Sequence, residues 1–356
     1  MSEFDIKGSI NDSLRELIDV HTHVISDNIL SYEEKLRIGS LSSNFPKDIS
    51  KDFIFESRLS FKDRATDFCL KVKKDKATSL RKFVKSKLNS RNRNLFNNLL
   101  NFLNSWIDTI EFDYIIELLW LEYDMTEKMN NDDFPLIYFQ LSKNFQENIL
   151  KCIPALKTII KVLHPYVTKT ALDNLERCFF CLPKGSMIKH IGIAPSRNIN
   201  DVRVCIFGLR KKGIVEILNA IPLVGSLSYI QKIIGPLDNM VDSFSLHLDV
   251  GDVFGSKIGV ELRKNMVFKD SECWNDIARY LKQSKLILDD KSNEVCRLHH
   301  KINDHGITYL EGFETYYCLL YIKLIFGVSN YVQAKAYIVA TSQSNEFDIN
   351  CVGKNA

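Results

Sequence analysis

No stretch of this 356-residue chain approaches the roughly 20 consecutive apolar residues that a membrane helix needs, so no membrane span is expected. There is no G-x-x-x-x-G-K-S/T phosphate loop and no G-x-G-x-x-G turn, which leaves a nucleotide cofactor without support. Cys178-Phe-Phe-Cys181 stands alone, with no second pair at zinc spacing, and reads as two packed thiols. Charge of one sign is also scarce. A net charge of +3 is too small to argue for a nucleic-acid partner. The opening MSEFDIKGSINDSLREL lacks the basic and apolar regions of an export signal. Nine cysteines, an odd number, are scattered through core-like segments, so reduced thiols and a cytoplasmic location are expected.

What is present is an ordinary soluble composition, 45% hydrophobic and 26% charged, with ample material for a core. Short helices are expected near 9–18 and 32–38. A strand pair follows, DFIFESRLSF (Asp52–Phe61) and ATDFCLKVKK (Ala65–Lys74), turning around Lys62–Arg64. A helical stretch at 76–110 leads to YIIELLWLEYD (Tyr114–Asp124) and FPLIYFQLS (Phe134–Ser142). Helices at 143–164 and 168–180 precede SMIKHIGIA (Ser186–Ala194) and DVRVCIFGL (Asp201–Leu209). Helices at 211–220 and 226–239 precede DSFSLHLDV (Asp242–Val250) and KIGVELRK (Lys257–Lys264). Helices at 270–283 and 288–300 lead into the last hairpin, Tyr317 to Thr341. The basic run from Lys71 to Arg93, with Arg81, Lys82, Lys85 and Lys87, reads as the wet face of a helix.

The pattern is therefore five hairpins separated by helices, a repeat of architecture rather than of sequence. Strand side chains alternate with period two. Phe244, Leu246, Leu248 and Val250 alternate with Ser243, Ser245, His247 and Asp249. Val202, Val204 and Ile206 alternate with Arg203, Cys205 and Phe207. In the last hairpin Cys318, Leu320, Ile322, Leu324 and Phe326 share one face, opposite Tyr321 and Lys323. In its second arm Ala334, Ala336, Ile338 and Ala340 oppose Gln333, Lys335 and Tyr337. An open α+β sheet with one wet face gives the same alternation. The regular recurrence favours closure, which removes the sheet edges and covers the apolar face with helices. The expected fold is thus α+β, a ten-stranded antiparallel β-barrel of five ββ hairpins with helices outside, wide enough to enclose a ligand. Residues 1–48 are expected to be a helical segment packed on the barrel, 49–343 the barrel domain, and 344–356 a tail.

Across about residues 50–342 the chain resembles the ABBA-type (PT-barrel) aromatic and peptide prenyltransferases. Phe55-Glu56-Ser57 is similar to the segment that presents the acidic base in the dimethylallyl tryptophan synthase group. Lys335-Ala336-Tyr337 resembles that group's Lys-x-Tyr strand signature, which holds the prenyl diphosphate and shields the cation. Two strands depart from the pattern: KIGVELR has Gly259 and Glu261 where Lys and Tyr would fall, and DVRVCIF gives Arg203 no partner Tyr.

The resemblance implies transfer of a prenyl group from a prenyl diphosphate to an aromatic or nitrogen-rich acceptor, a small molecule or a peptide. Such chemistry needs cations against the leaving group, aromatic faces beside the allylic cation and a base within reach of the acceptor. Lys71, Arg203, Lys323 and Lys335 are the expected diphosphate ligands, and Glu56 the base. Tyr138, Tyr321 and Tyr337 form the expected shield, with Trp120 a further wall. Glu122, His247, Asp249 and Glu261 fall on the same face, where acceptor recognition is one reading and pairing with Arg58, Arg203 and Arg263 another. No metal or other cofactor is required, and magnesium, though compatible, is not implied. Two alternatives remain. One is a metal-dependent hydrolase, using either Asp19, His21 and His23 of LIDVHTHV (Leu17 to Val24) or His247-x-Asp249 with Glu122 or Glu261. The other is a barrel that binds a peptide or small ligand without chemistry.

Overall fold

A computed structural model describes residues 13–60, 66–126, 132–197, 200–221, 227–264, 274–302, 315–327 and 331–341. The chain opens with α1 (Arg15–His23) and α2 (Tyr32–Ser42). Helix α2 starts on a capping box, in which Ser31 N–H donates to Glu34 Oε2 and Glu34 N–H to Ser31 Oγ. The first hairpin is β1 (Asp52–Arg58) and β2 (Thr66–Lys73). Glu34 also accepts from Thr66 Oγ1 at 2.7 Å, so this cap ties the N-terminal helices to β2.

Helices α3 (Ala77–Ser86) and α4 (Arg93–Asp108) follow, then β3 (Ile116–Asp124) and β4 (Leu136–Leu141). Helices α5 (Lys143–Glu147), α6 (Ile149–Leu163) and α7 (Lys169–Phe180) lead to β5 (Met187–Ile193) and β6 (Val202–Leu209). Helices α8 (Lys211–Ala220) and α9 (Leu227–Ile234) lead to β7 (Ser243–Val250) and β8 (Phe254–Arg263). Helices α10 (Asn275–Gln283) and α11 (Asp289–Arg297) precede β9 (His299–Ile302), β10 (Thr315–Phe326) and β11 (Val332–Thr341).

All pairings are antiparallel, and the sheet closes on itself because β11 pairs with both β10 and β1. Ten strands make the barrel, as the alternation predicts. The eleventh, β9, lies outside the ring and pairs with β10. The helix expected over 288–300 ends at Arg297 and gives way to that short strand. The tail expected at 344–356 lies outside the described residues, as do the turn at 62–64 and residues 1–12.

Helices cover the outer wall. Phe68, Leu70 and Val72 on β2, and Phe244, Leu246 and Val250 on β7, are fully buried there. Helix α4 turns Phe96, Leu99, Phe102, Leu103 and Trp106 inward at helical spacing. Burying each such side chain contributes about 1.5–3 kcal/mol, so this apolar shell holds the ring shut.

Bulges break the alternation at five places, and three of them matter for the lumen. On β3, β5 and β10 two consecutive residues come to border it: Glu117 with Leu118, Lys189 with His190, and Leu320 with Tyr321. The expectation that Leu320 shares the outer face with Cys318 is therefore corrected. The shift between Leu319 and Tyr321 turns Leu320 inward while Cys318 stays buried at 1% exposure.

Candidate active site in the barrel lumen

The lumen has two halves, of about 500 and 390 Å³. The larger is walled by Ile54, Leu118, Trp120, Phe207 and Leu320, with Lys71, Lys73 and Lys189 among them. The smaller is ionic, lined by Glu56, Asp67, Asp124, Arg197, Arg203, Asp249 and Lys335. Glu122, Tyr138, His247, Lys323 and Tyr337 border both halves and form the waist between them. Each of the thirteen residues singled out from the sequence borders one half or the other.

Register explains how they meet. Glu56 on β1 is the ladder partner of Tyr337 on β11 and of Asp67 on β2. Lys335 Nζ bonds Glu56 Oε1 and lies 3.7 Å from Asp67 Oδ2. Burial works against charge on Glu56, but Lys335, a hydrogen bond from Asp67 and nearby Lys323 outweigh it and hold the carboxyl below its ordinary pKa. Asp67 moves the other way. Burial and the neighbouring Glu56 push its pKa well up, so of the two carboxyls Asp67 is the one that binds a proton more readily. Glu122 is also raised, by burial and by Glu56. Burial disfavours the Lys335 ammonium, yet Glu56 and Asp67 keep its pKa above the usual value.

The four expected cations differ in how their charge is met. Lys71 Nζ is 3.0 Å from Asp52 Oδ2 and 5.9 Å from the centre of the Trp120 ring. Arg203 grips Asp249 in a fork, Nε to Oδ1 at 2.7 Å and Nη2 to Oδ2 at 3.1 Å, and donates to Tyr138 Oη at 3.3 Å. Lys335 is matched by Glu56. Lys323 has no carboxylate within 4.0 Å among the described residues. Its Nζ lies 3.0 Å from His247 Nδ1 and 5.7 Å from the Tyr337 ring centre. Burial lowers its pKa.

Of the carboxylates placed with acceptor recognition, two are already satisfied. Asp249 is held by Arg203. Glu261 is bonded by Arg263 through both Nε and Nη2, and its pKa sits well below normal; burial opposes this, and Arg263 and His247 prevail. His247 Nε2 approaches Glu261 Oε1 to 2.5 Å. On the other side of that ring, Cys205 Sγ lies 3.2 Å from Nδ1. Burial takes the His247 pKa down to about 4 and the Cys205 thiol up to about 12, so both are neutral near pH 7.

The aromatic residues form a column rather than an open cage. Arg263 lies between Phe207 and Tyr321, 4.3 and 4.5 Å from their centres, and Tyr321 stacks on Tyr337 at 4.3 Å. Two glycines shape the waist. A Cβ on Gly192 would come within 2.5 Å of the Tyr138 ring, and one on Gly259 within 2.6 Å of Lys323 Cε. Asp67 and Gly192 escaped the sequence assignment of roles, because cross-strand register decides what each one touches, whereas the pairing expected of Arg203 and Arg263 with lumenal carboxylates is present.

The rival metal segment is corrected. Asp19, His21 and His23 lie on helix α1 rather than on a strand. His21 is packed against Phe53 with neither nitrogen bonded, and burial takes its pKa to about 4. His247 touches Glu261, but among the described residues Asp249 and Glu122 do not join them at metal-ligand spacing. Among the described residues the one group at metal-ligand spacing is Asp67, Glu122 and Asp124, whose oxygens lie within 4.8 Å of one another. Arg197 bonds Asp124 there.

No protein-family model matches the sequence, and no curated protein matches it. Solved structures do match the fold. AnaPT from Neosartorya fischeri superposes with a TM-score of 0.58 at 9% identity, covering 93% of each chain. The prenyltransferase PriB gives 0.56 at 9% identity, over 92% of this chain and 94% of its own. The 5-dimethylallyltryptophan synthase from Streptomyces coelicolor gives 0.51 at 10% identity, over 91% and 95%. The chain thus has the fold of the ABBA-type prenyltransferases. PriB has been solved with L-tryptophan and dimethylallyl thiolodiphosphate.

Proposed function

We propose that the protein transfers a prenyl group from a prenyl diphosphate to an aromatic or nitrogen-rich acceptor, small molecule or peptide, held in the lumen. One observation carries this reading: Glu56, 3% exposed, is kept ionised by Lys335 and opens on the lumen beside Tyr337. An ionised buried carboxylate in a cavity walled by aromatic rings suits removal of the proton that an acceptor loses as its new bond forms, a proton acidic enough after bond formation for a weak base to take. Lys323, with no carboxylate against it, is the charge most able to meet a leaving diphosphate. Tyr337 and Tyr321 offer π faces to the allylic cation. Lys and Arg supply the positive charge, so the reaction as drawn requires no metal. A cytoplasmic setting fits the seven described cysteines, all of them free thiols.

A second reading has its own support. Lys71, Arg203 and Lys335 are each matched by a carboxylate, which suits a barrel that binds a ligand without transferring anything. Incubation with dimethylallyl, geranyl and farnesyl diphosphates, following thermal stabilisation and diphosphate release, separates the two. Transfer predicts stabilisation by at least one donor, release that needs an acceptor, and loss of release but not of stabilisation in Glu56→Gln. If no donor stabilises the protein, the transferase reading is wrong.

A further inference from the structure

We infer that Lys323 is a covalent site for carbonyl compounds: its amine condenses with an aldehyde or ketone entering the lumen, with His247 moving the protons. This goes beyond the transferase reading and does not depend on it, because no diphosphate takes part.

The geometry is that of an amine prepared to lose its proton. Lys323 stands at the waist, reachable from both halves of the lumen, with 6% of its surface exposed. Exposed lysines are strongly solvated point charges, whereas a desolvated lysine with no carboxylate in contact gives up its proton more readily, and the free amine is a nucleophile. Arg203 acts in the same direction as burial, while Glu261 and Glu56 act against it, and burial prevails. Gly259 makes the placement possible, since the lysine stem lies across β8 where any other residue's Cβ would stand.

The neighbours supply the remaining parts. His247 Nδ1, 3.0 Å from Nζ, is neutral near pH 7 and can accept a proton. Glu261, 2.5 Å from Nε2, stabilises the imidazolium that results. The Lys323 nitrogen attacks the carbonyl carbon, and the C=O pair moves onto oxygen. Nζ passes one proton by way of Nδ1 to that oxygen, giving a neutral carbinolamine and leaving the imidazole neutral again. The nitrogen pair then expels the hydroxyl as the C=N bond forms, and the second Nζ proton, carried through Nδ1, turns the departing hydroxide into water. The net change is amine plus carbonyl to imine plus water, with no oxidant or reductant needed. The Tyr337 ring, 5.7 Å from Nζ, offers its face to the iminium charge.

The test uses the wild-type protein at pH 7 with benzaldehyde or cinnamaldehyde, sodium cyanoborohydride to trap the imine, and mass mapping of tryptic peptides. Lys143 and Lys212, with side chains 84% and 89% exposed, serve as references. Lys323 should be alkylated at least about tenfold faster than either, as a desolvated lysine activated as a nucleophile would be. His247→Gln should slow the Lys323 adduct about tenfold and leave the references unchanged. Lys323→Met should abolish the fast adduct. Labelling of wild-type Lys323 no faster than Lys143 and Lys212 would overturn the inference, and that comparison requires no variant to fold. Persistence of the fast adduct in Lys323→Met would overturn it equally.

Discussion

Lys323 and Lys335 are direct partners across the β10–β11 ladder, yet their charges are met in opposite ways. Lys335 reaches across to β1 and neutralises Glu56, while Lys323 leans over Gly259 to a neutral imidazole. Lys335→Met strands a buried carboxylate and should cost about 3–5 kcal/mol in chemical denaturation. Restoring neutrality with Glu56→Gln in the same chain should recover most of that loss. Lys323→Met removes a charge with no carboxylate partner and should be neutral or stabilising. Equal losses in the two single variants would contradict this division of roles.

Acid should weaken the fold through a buried histidine. His21 has a pKa near 4 in the folded protein against an ordinary 6.5. Between those values the unfolded chain binds a proton that the folded one refuses, so stability falls as pH drops through that window. For His21 alone the loss is on the order of 2 kcal/mol at pH 4.5. His21→Phe should flatten the acid limb of the melting curve and leave lumen binding unchanged. His247 titrates in the same window and keeps its own share. An acid limb identical to wild type would count against the buried, unbonded placement of His21.

Gly192→Ala tests the waist. The new methyl would stand 2.5 Å from the Tyr138 ring and force it away from its place near Arg203. Overpacking of this kind costs about 1–3 kcal/mol. The melting temperature should fall and lumenal ligands should bind less tightly, both measurable by thermal shift. Retention of both would place Tyr138 elsewhere.

Arg263→Lys keeps the charge and should still damage the site. A lysine cannot lie flat between Phe207 and Tyr321 while also forking onto Glu261. The lost stacking is worth about 0.5–2 kcal/mol. The signature is a change in tyrosine fluorescence or near-ultraviolet dichroism as the Tyr321–Tyr337 stack loosens. Spectra that match wild type would argue against the column.

Much of the barrel can be read from the chain because alternation with period two is a local property. Val202, Val204 and Ile206 announce an apolar outer face without reference to any other strand. Counting five pairs then argues for closure, since edges and apolar faces must be covered. Contacts inside the lumen are another matter. Glu56 and Lys335 lie 279 residues apart, and nothing local to either shows that they bond. Bulges are equally silent: Leu320 reads as outward until the ladder with β11 slips beside it. Gly259, seen as a departure from a Lys and Tyr pattern, turns out to be the gap that Lys323 fills. Strand β9 has only four residues directly after a helix, too few for a period to register.

The ring is sealed by its first and last members, β1 and β11. During synthesis the growing sheet therefore stays open until residue 341 has emerged from the ribosome, holding raw strand edges and the unmatched Glu56 in a half-built trough. Sheets with such distant pairings fold slowly and are vulnerable while they wait. A chain cut short before Val332 should accumulate in inclusion bodies rather than persist as a smaller version of the same vessel.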